Sequence, residues 1–278
     1  DNQLRKSIVK SIYLSAKKFL IARIPSKEAK LILNSYIDRP AQNFAPVELN
    51  VLFRGLLSSA QNSNMKSGVI GGSIGGVDNL RKALFGFNPN KVLKKFRNNP
   101  ERLLEYIVST VHPNGLIRTT NRSLWPQYCK TILSAATFFS QFSDGKDFYK
   151  WANSLYLNKL SMPALPMILS AEIKGIGYTL ACDFLKELGF IEYGKPDKHV
   201  KTIFVGLGLC DPNPSPYDVQ KVIAKIAAAA NVSPYNVDKV FWLIGSGKLY
   251  RTEHKHLGND GHIGRMGNDF LAEFGMTR

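Results

Sequence analysis

A short turn, Lys174-Gly175-Ile176-Gly177, leads into a helical run that begins at Tyr178. Eighteen residues beyond Thr179 comes Pro196-Asp197-Lys198-His199. Glycines in a tight turn tolerate positive φ and leave backbone N–H groups uncovered at the entrance to a helix, where a phosphate can be held. Asp197 is a carboxylate placed just past the end of that helix, and Pro196 stiffens the approach to it. Asp197 also fits a helix N-cap, and the two roles are compatible. A phosphate grip with a carboxylate nearby suits chemistry on a nucleotide.

These residues need helices to position them, and the sequence reads as helical nearly throughout. Apolar residues recur at the 3.6 period in Leu49, Leu52, Phe53, Leu56, Leu57 and Ala60, and again in Leu103, Leu104, Ile107 and Val108. Tyr128, Ile132, Leu133, Ala136 and Phe139 form a further face, and Val219–Ala227 and Val237–Ile244 open late helices. Pro163–Ile173 and Tyr178–Leu188 flank the glycine turn and make a helix-hairpin-helix. Val200–Leu209 has strand propensity, but its place directly after Asp197 favours a helix. Breaks fall at Asn88-Pro89, at Asn98–Pro100, across His112–Arg122 and at Asp211–Pro216. Gly68–Gly76 reads as a flexible loop. It is not a nucleotide loop, because no Walker lysine follows it.

The chain has 278 residues and is 44% hydrophobic, which allows a proper core. Its net charge is +16, from 37 basic and 21 acidic residues, and such an excess favours a polyanionic partner. Residues 1–40 carry nine Lys/Arg against three acids, and residues 81–102 carry seven against one. Two basic regions suggest a footprint on a duplex; two solvated helix faces would give the same pattern. Cys129, Cys182 and Cys210 build neither a disulfide framework nor a zinc site, which fits a reducing, intracellular setting. With nucleic acid the commonest polyanion, the expected place is the cytoplasm with the nucleoid or the nucleus. No stretch is long and apolar enough for a membrane span. Ile8–Ile24 is amphipathic and could pass for a transit peptide, but its apolar face suits a packed helix. His254, His256 and His262 lack a carboxylate or cysteine to complete a metal site.

The combined pattern resembles the helix-hairpin-helix/Gly-Pro-Asp superfamily of DNA glycosylases, endonuclease III-like. The resemblance rests on Gly175-Ile176-Gly177-Tyr178-Thr179-Leu180-Ala181, on Pro196-Asp197-Lys198-His199-Val200 and on the spacing between them. Upstream, Leu56-Leu57-Ser58-Ser59-Ala60-Gln61 looks like the end of an endonuclease III-type helix. Downstream, Asp238–Gly245 looks like the closing helix of archaeal 8-oxoguanine glycosylases. The resemblance covers roughly residues 45–250. It implies an all-α fold with two helical lobes flanking a DNA-binding cleft. The expected division is 46–190 for the lobe ending in the hairpin, and 1–45 with 191–278 for the lobe carrying Asp197.

The resemblance also implies roles. Asp197 is the expected catalytic carboxylate, since breaking an N-glycosidic bond builds positive charge on the sugar. Lysine stands at the Thr179 position in the superfamily's lyases, so a threonine there implies a monofunctional enzyme that uses water. Thr179, Asp238 and Trp242 are expected at the base pocket. Asp238 and Trp242 lie four apart and share a helix face, giving a carboxylate for a base edge and an indole for its ring. Trp242 could instead fill the core, and Asp238 could be a helix charge. Gln61, Lys174, Gly175, Gly177, Lys198 and His199 are expected to contact DNA. Gln61 could equally cap its own helix, and Lys174 or Lys198 could supply an imine-forming amine. Asp183 reads as an exposed helix aspartate. Arg118, Arg122 and Trp125 read as loop residues suited to strand contacts. The expected partner is double-stranded DNA carrying a modified or mispaired base, acted on by a monomer. No cofactor or metal is expected, and the four-cysteine tail of the cluster-bearing members is missing. The alternatives are an 8-oxoguanine glycosylase/lyase using an unaligned lysine, a non-catalytic DNA-binding module, and a defence glycosylase acting on modified foreign DNA.

Overall fold

The break dipeptides mark where helices begin. Asn88 and Asn99 accept from the N–H groups of Lys91 and Arg102, each with proline at the first turn. Ser215 and Asp218 close a reciprocal capping box ahead of Pro216, and Ser233 accepts from Asn236 ahead of Pro234. Each arrangement satisfies a helix-end amide that would otherwise go unpaired and presets the first helical φ.

The computed structural model describes residues 2–24, 27–37, 46–62, 67–248 and 263–274. Among these the regular elements are helical, and no β-strand forms. In chain order they are α1 (Asn2–Ala22), α2 (Lys27–Ile37), α3 (Leu49–Ala60), α4 (Ser67–Ile70), α5 (Pro89–Phe96), α6 (Pro100–Val111) and α7 (Leu124–Phe139). There follow α8 (Gly145–Tyr156), α9 (Ala164–Glu172), α10 (Tyr178–Glu187), α11 (Lys198–Gly206), α12 (Pro216–Ala230), α13 (Pro234–Ser246) and α14 (Gly267–Glu273). Val200 therefore lies in a helix, as its place after Asp197 favours.

The chain forms two compact units, one from 44–184 and the other from 1–43 with 185–278. In the 44–184 unit, α7 is the axis against which α3, α5 and α6 pack. Its buried face runs through Tyr128, Ile132, Ala136 and Phe139, and the Tyr128 hydroxyl donates to the Leu57 carbonyl at 2.9 Å. Trp125, expected in a loop, sits in the first turn of α7 and is 2% exposed. Its indole belongs to the core because the helix starts earlier than the polar run before it suggests. Gly68–Gly76 is not a featureless loop. It holds α4 and a 3₁₀ turn at Gly72–Ile74, anchored by buried Ile70 and Ile74. Gly75 and Gly76 take the positive φ values that let those turns follow one another.

In the other unit, α1 packs on α12 and α13 through Val9, Ile12, Tyr13, Ala16, Phe19 and Leu20. The amphipathic pattern of Ile8–Ile24 thus belongs to a packed helix. α11 meets α13 through Phe204 and Phe241, whose ring centroids are 5.1 Å apart and edge-to-face. Phe270 on α14 closes against Phe19 and Phe241. This packing fixes the pair of helices on which the candidate site is built.

Candidate active site

Asp197 stands at the N-cap of α11 with extended backbone geometry. Its Oδ1 accepts from the N–H groups of His199 at 2.9 Å and Val200 at 3.2 Å. Its Oδ2 accepts from the indole Nε1–H of Trp242 at 2.9 Å. Three donors from two helices therefore hold one carboxylate, and the cap and indole contacts use different oxygens. Pro196 favours extended geometry at the residue before it, which delivers the chain to the cap.

Trp242 reaches Asp197 because α13 can come close to α11. A Cβ at Gly245 would sit 2.8 Å from the Cβ of His199 and 3.3 Å from its carbonyl oxygen. Any larger residue would push the helices apart. The rings of His199 and Trp242 meet edge-on at 6.5 Å between centroids. Asp197, His199 and Trp242 thus form one cluster within one unit, with Lys198 exposed beside it.

One turn before Trp242, Asp238 is fully buried, and its Oδ2 lies 2.7 Å from the Lys186 ammonium. Glu187 is 3.6 Å from that ammonium and 3.2 Å from the ammonium of Lys239, and the Tyr235 ring lies under both lysines. The second oxygen of Asp238, Oδ1, is buried without a hydrogen-bond partner among the described residues. Gly194 leaves room for this carboxylate, since a Cβ there would come within 2.8 Å of the Cβ of Asp238. Lys186, Gly194 and Gly245 escaped the reading of the sequence. Their signals were a lysine inside the apolar run Leu180–Leu188 and two isolated glycines, at a helix end and ahead of Pro196.

The charges act on Asp197 in opposite directions. Burial pushes its carboxyl above the usual range, and the nearby Asp238 carboxylate adds to this. Lys195, the Val200 N–H and His199 pull it back down. Burial lowers His199, and the positive charges of Arg265 and Lys248 act the same way. Asp197 and the backbone of Gly245 oppose them.

The hairpin belongs to the other unit. Gly175 has φ +79°, and a Cβ there would meet the Thr131 hydroxyl at 2.5 Å, so this glycine is required by the turn. Gly177 does not use the positive φ it would tolerate, and a Cβ there would meet nothing. Its value is open space. The Lys174 N–H donates to the Ser134 hydroxyl at 3.0 Å, which ties the turn to α7. Among the described residues, the amides of Gly175 and Gly177 have no internal acceptor. Lys174, Gly175 and Gly177 are exposed, and Thr179 is half-buried at the second position of α10.

Gln61 follows α3, and its backbone N–H closes that helix onto Leu57. Its side chain makes no hydrogen bond among the described residues. Asp183, expected on the surface, is buried at 8% exposure, because the apolar face of α10 is wide enough to include it. Arg118 and Arg122 are exposed in the segment between α6 and α7. His254, His256 and His262 lie outside the described residues, among which no metal-binding cluster occurs.

No protein-family model matches the chain, and no curated protein matches it by sequence. A solved structure does match in fold: that of the Methanocaldococcus jannaschii 8-oxoguanine glycosylase/lyase in complex with a 15mer DNA containing 8-oxoguanine. The TM-score is 0.52 at 17% identity, covering 84% of this chain and 100% of that one. At that identity the likeness speaks to the fold, which is all-α as the sequence implies.

Proposed function

We propose that the protein is a DNA glycosylase that cuts the N-glycosidic bond of a modified or mispaired base turned out of the duplex, with water as the nucleophile. The observation that carries this reading is Asp197. It is a carboxylate held by three donors at a helix start, in a fold shared with a glycosylase/lyase solved on DNA. As the bond from the sugar to the base breaks, its electron pair leaves with the base and the sugar ring gains positive charge. A fixed anion stabilises that charge without having to reorganise, and a water then adds to the sugar and gives up a proton, which neutralises the departed base. The exposed amides of Gly175 and Gly177 and the Lys174 ammonium suit a backbone phosphate, which positions a duplex without reading its sequence. A base must leave the stack to be cut, and grips on the backbone hold a duplex in the form that permits it.

Thr179 supports the monofunctional form, because a hydroxyl cannot make the imine on which lyase chemistry depends. The test uses duplexes carrying 8-oxoguanine and other modified bases, with released base as the readout. Wild-type protein is expected to release one of them and leave an abasic site that breaks only with alkali or heat. Asp197→Asn is expected to lose on the order of 10²-fold or more in excision while still binding duplex. Full excision by that variant would overturn the role of Asp197. Efficient trapping of wild-type protein on DNA by borohydride would replace water with a lysine, Lys174 or Lys198 first.

A further inference from the structure

We propose that Trp242 is a positioning residue for Asp197: its indole N–H fixes the orientation of the carboxylate and keeps Oδ2 turned toward the reacting sugar. This deepens the glycosylase reading and rests on it. A helix cap alone leaves the matter open. The two amide donors both bind Oδ1, and the terminal torsion of an aspartate is broad. The contact from Trp242 Nε1 to Oδ2, at 2.9 Å, removes that freedom from a second helix.

The chemistry of the donor suits the task. An indole N–H donates only; it carries no charge and does not titrate in the working range. It therefore holds the carboxylate without neutralising it, which a lysine or arginine at the same place would do. An ionised carboxylate oxygen has more than one lone pair, so Oδ2 can accept from Trp242 and still face developing positive charge. The surroundings make the contact matter. Burial and Asp238 both disfavour the charged form of Asp197, while Lys195, the Val200 N–H and His199 favour it. The indole N–H acts with the second group. His199 packs edge-on against the same indole, and Gly245, one turn after Trp242, allows the helices to approach closely enough for the bond.

The base-pocket reading of Trp242 concerns the face of its ring, whereas this role concerns its edge, and Trp242→Phe separates them. Phenylalanine keeps a flat ring and loses the N–H. On a duplex carrying 8-oxoguanine, or whichever base the wild type releases, this variant is expected to turn over roughly 10- to 100-fold more slowly, with duplex affinity unchanged. With one donor gone, the charged carboxylate is less favoured and Asp197 protonates at higher pH. The acid limb of the excision profile therefore moves up. A carboxyl-carbon NMR titration is expected to show the same upward shift directly, without any substrate. In the wild type, the indole Nε1–H resonance of Trp242 should move with the titration of Asp197.

An indole resonance that ignores that titration overturns the proposal, and this holds even if Trp242→Phe fails to fold. So does a folded Trp242→Phe with unchanged turnover and an unchanged acid limb. If Asp197→Asn excises at the wild-type rate, the catalytic reading of Asp197 falls instead, while the two NMR titrations still decide whether Trp242 orients it.

Discussion

At the scale of single residues, the site shows two neighbouring carboxylates with different surroundings. Asp197 is half-buried and held by neutral N–H donors, whereas Asp238 is fully buried against an ammonium. Neutral donors leave the charge of Asp197 available, while the Lys186 pairing compensates that of Asp238. Asp238→Asn is therefore expected to destabilise the fold by roughly 3 kcal/mol. That is the low end for breaking a buried pair, because Glu187 stays 3.6 Å from the stranded ammonium. Denaturant unfolding measures this, and the double change Lys186→Met with Asp238→Leu should recover most of the loss. The sign of the effect on Asp197 also follows. Asp238 helps to raise the Asp197 carboxyl, so removing its charge lets that carboxyl fall, and the acid limb of excision should move to lower pH. A change in base preference at unchanged stability would instead support a contact between Asp238 and the base. Asp197 was legible as a cap because a proline and a helical run bracket it; its proposed catalytic role came from the resemblance and not from that bracketing. Its bond to Trp242 was not legible, since 45 residues separate the two and only the packing of α11 on α13 brings them together.

At the scale of elements, the hairpin separates two glycines that look alike in sequence. Gly175 sits at positive φ against Thr131, while Gly177 has ordinary φ and open space before it. Gly175→Ala is thus expected to lower the thermal midpoint, since it adds left-handed strain of about 1 kcal/mol and a close contact with a hydroxyl. Gly177→Asp is expected to leave that midpoint in place and weaken duplex binding broadly, because it puts a negative charge where a phosphate would approach. Calorimetry with filter binding on both variants checks the pair, and undiminished affinity in Gly177→Asp would remove the hairpin as a clamp. Helix existence was legible from the 3.6 period, and the breaks at Asn88-Pro89, Asn98–Pro100 and Asp211–Pro216 fall where helices begin. Positive φ was not legible, because a glycine states what backbone is permitted and only the neighbouring chain, here Thr131 on α7, states what is required. The same gap explains Gly68–Gly76, where buried Ile70 and Ile74 turn a flexible composition into ordered turns.

At the scale of the whole molecule, the net charge of +16 is the property that no single contact accounts for. In the 44–184 unit, Arg81, Lys82, Lys91, Lys94, Lys95, Arg97 and Arg102 are all exposed. Asn88 and Asn99 cap the two helices that carry most of them, so these charges stand on ordered elements rather than on a tail. A side chain of this kind that meets a backbone phosphate releases a bound counterion, and the logarithm of affinity then falls by about 0.9 per phosphate for each logarithm of salt. If about six phosphates are engaged, affinity for an undamaged duplex should drop roughly 10³-fold between 50 and 200 mM salt. Fluorescence anisotropy across that range measures the slope. Replacing Lys91, Lys94 and Lys95 together by alanine should reduce the slope by up to about three if all three touch phosphate, and leave it unchanged if they only face solvent. The composition favours a polyanionic partner but does not say which lysines would meet it, because exposure is common to contact and to solvation. A slope near zero in the wild-type protein would mean that the charge serves solubility alone, and it would remove the Lys174 ammonium from the proposed phosphate grip as well.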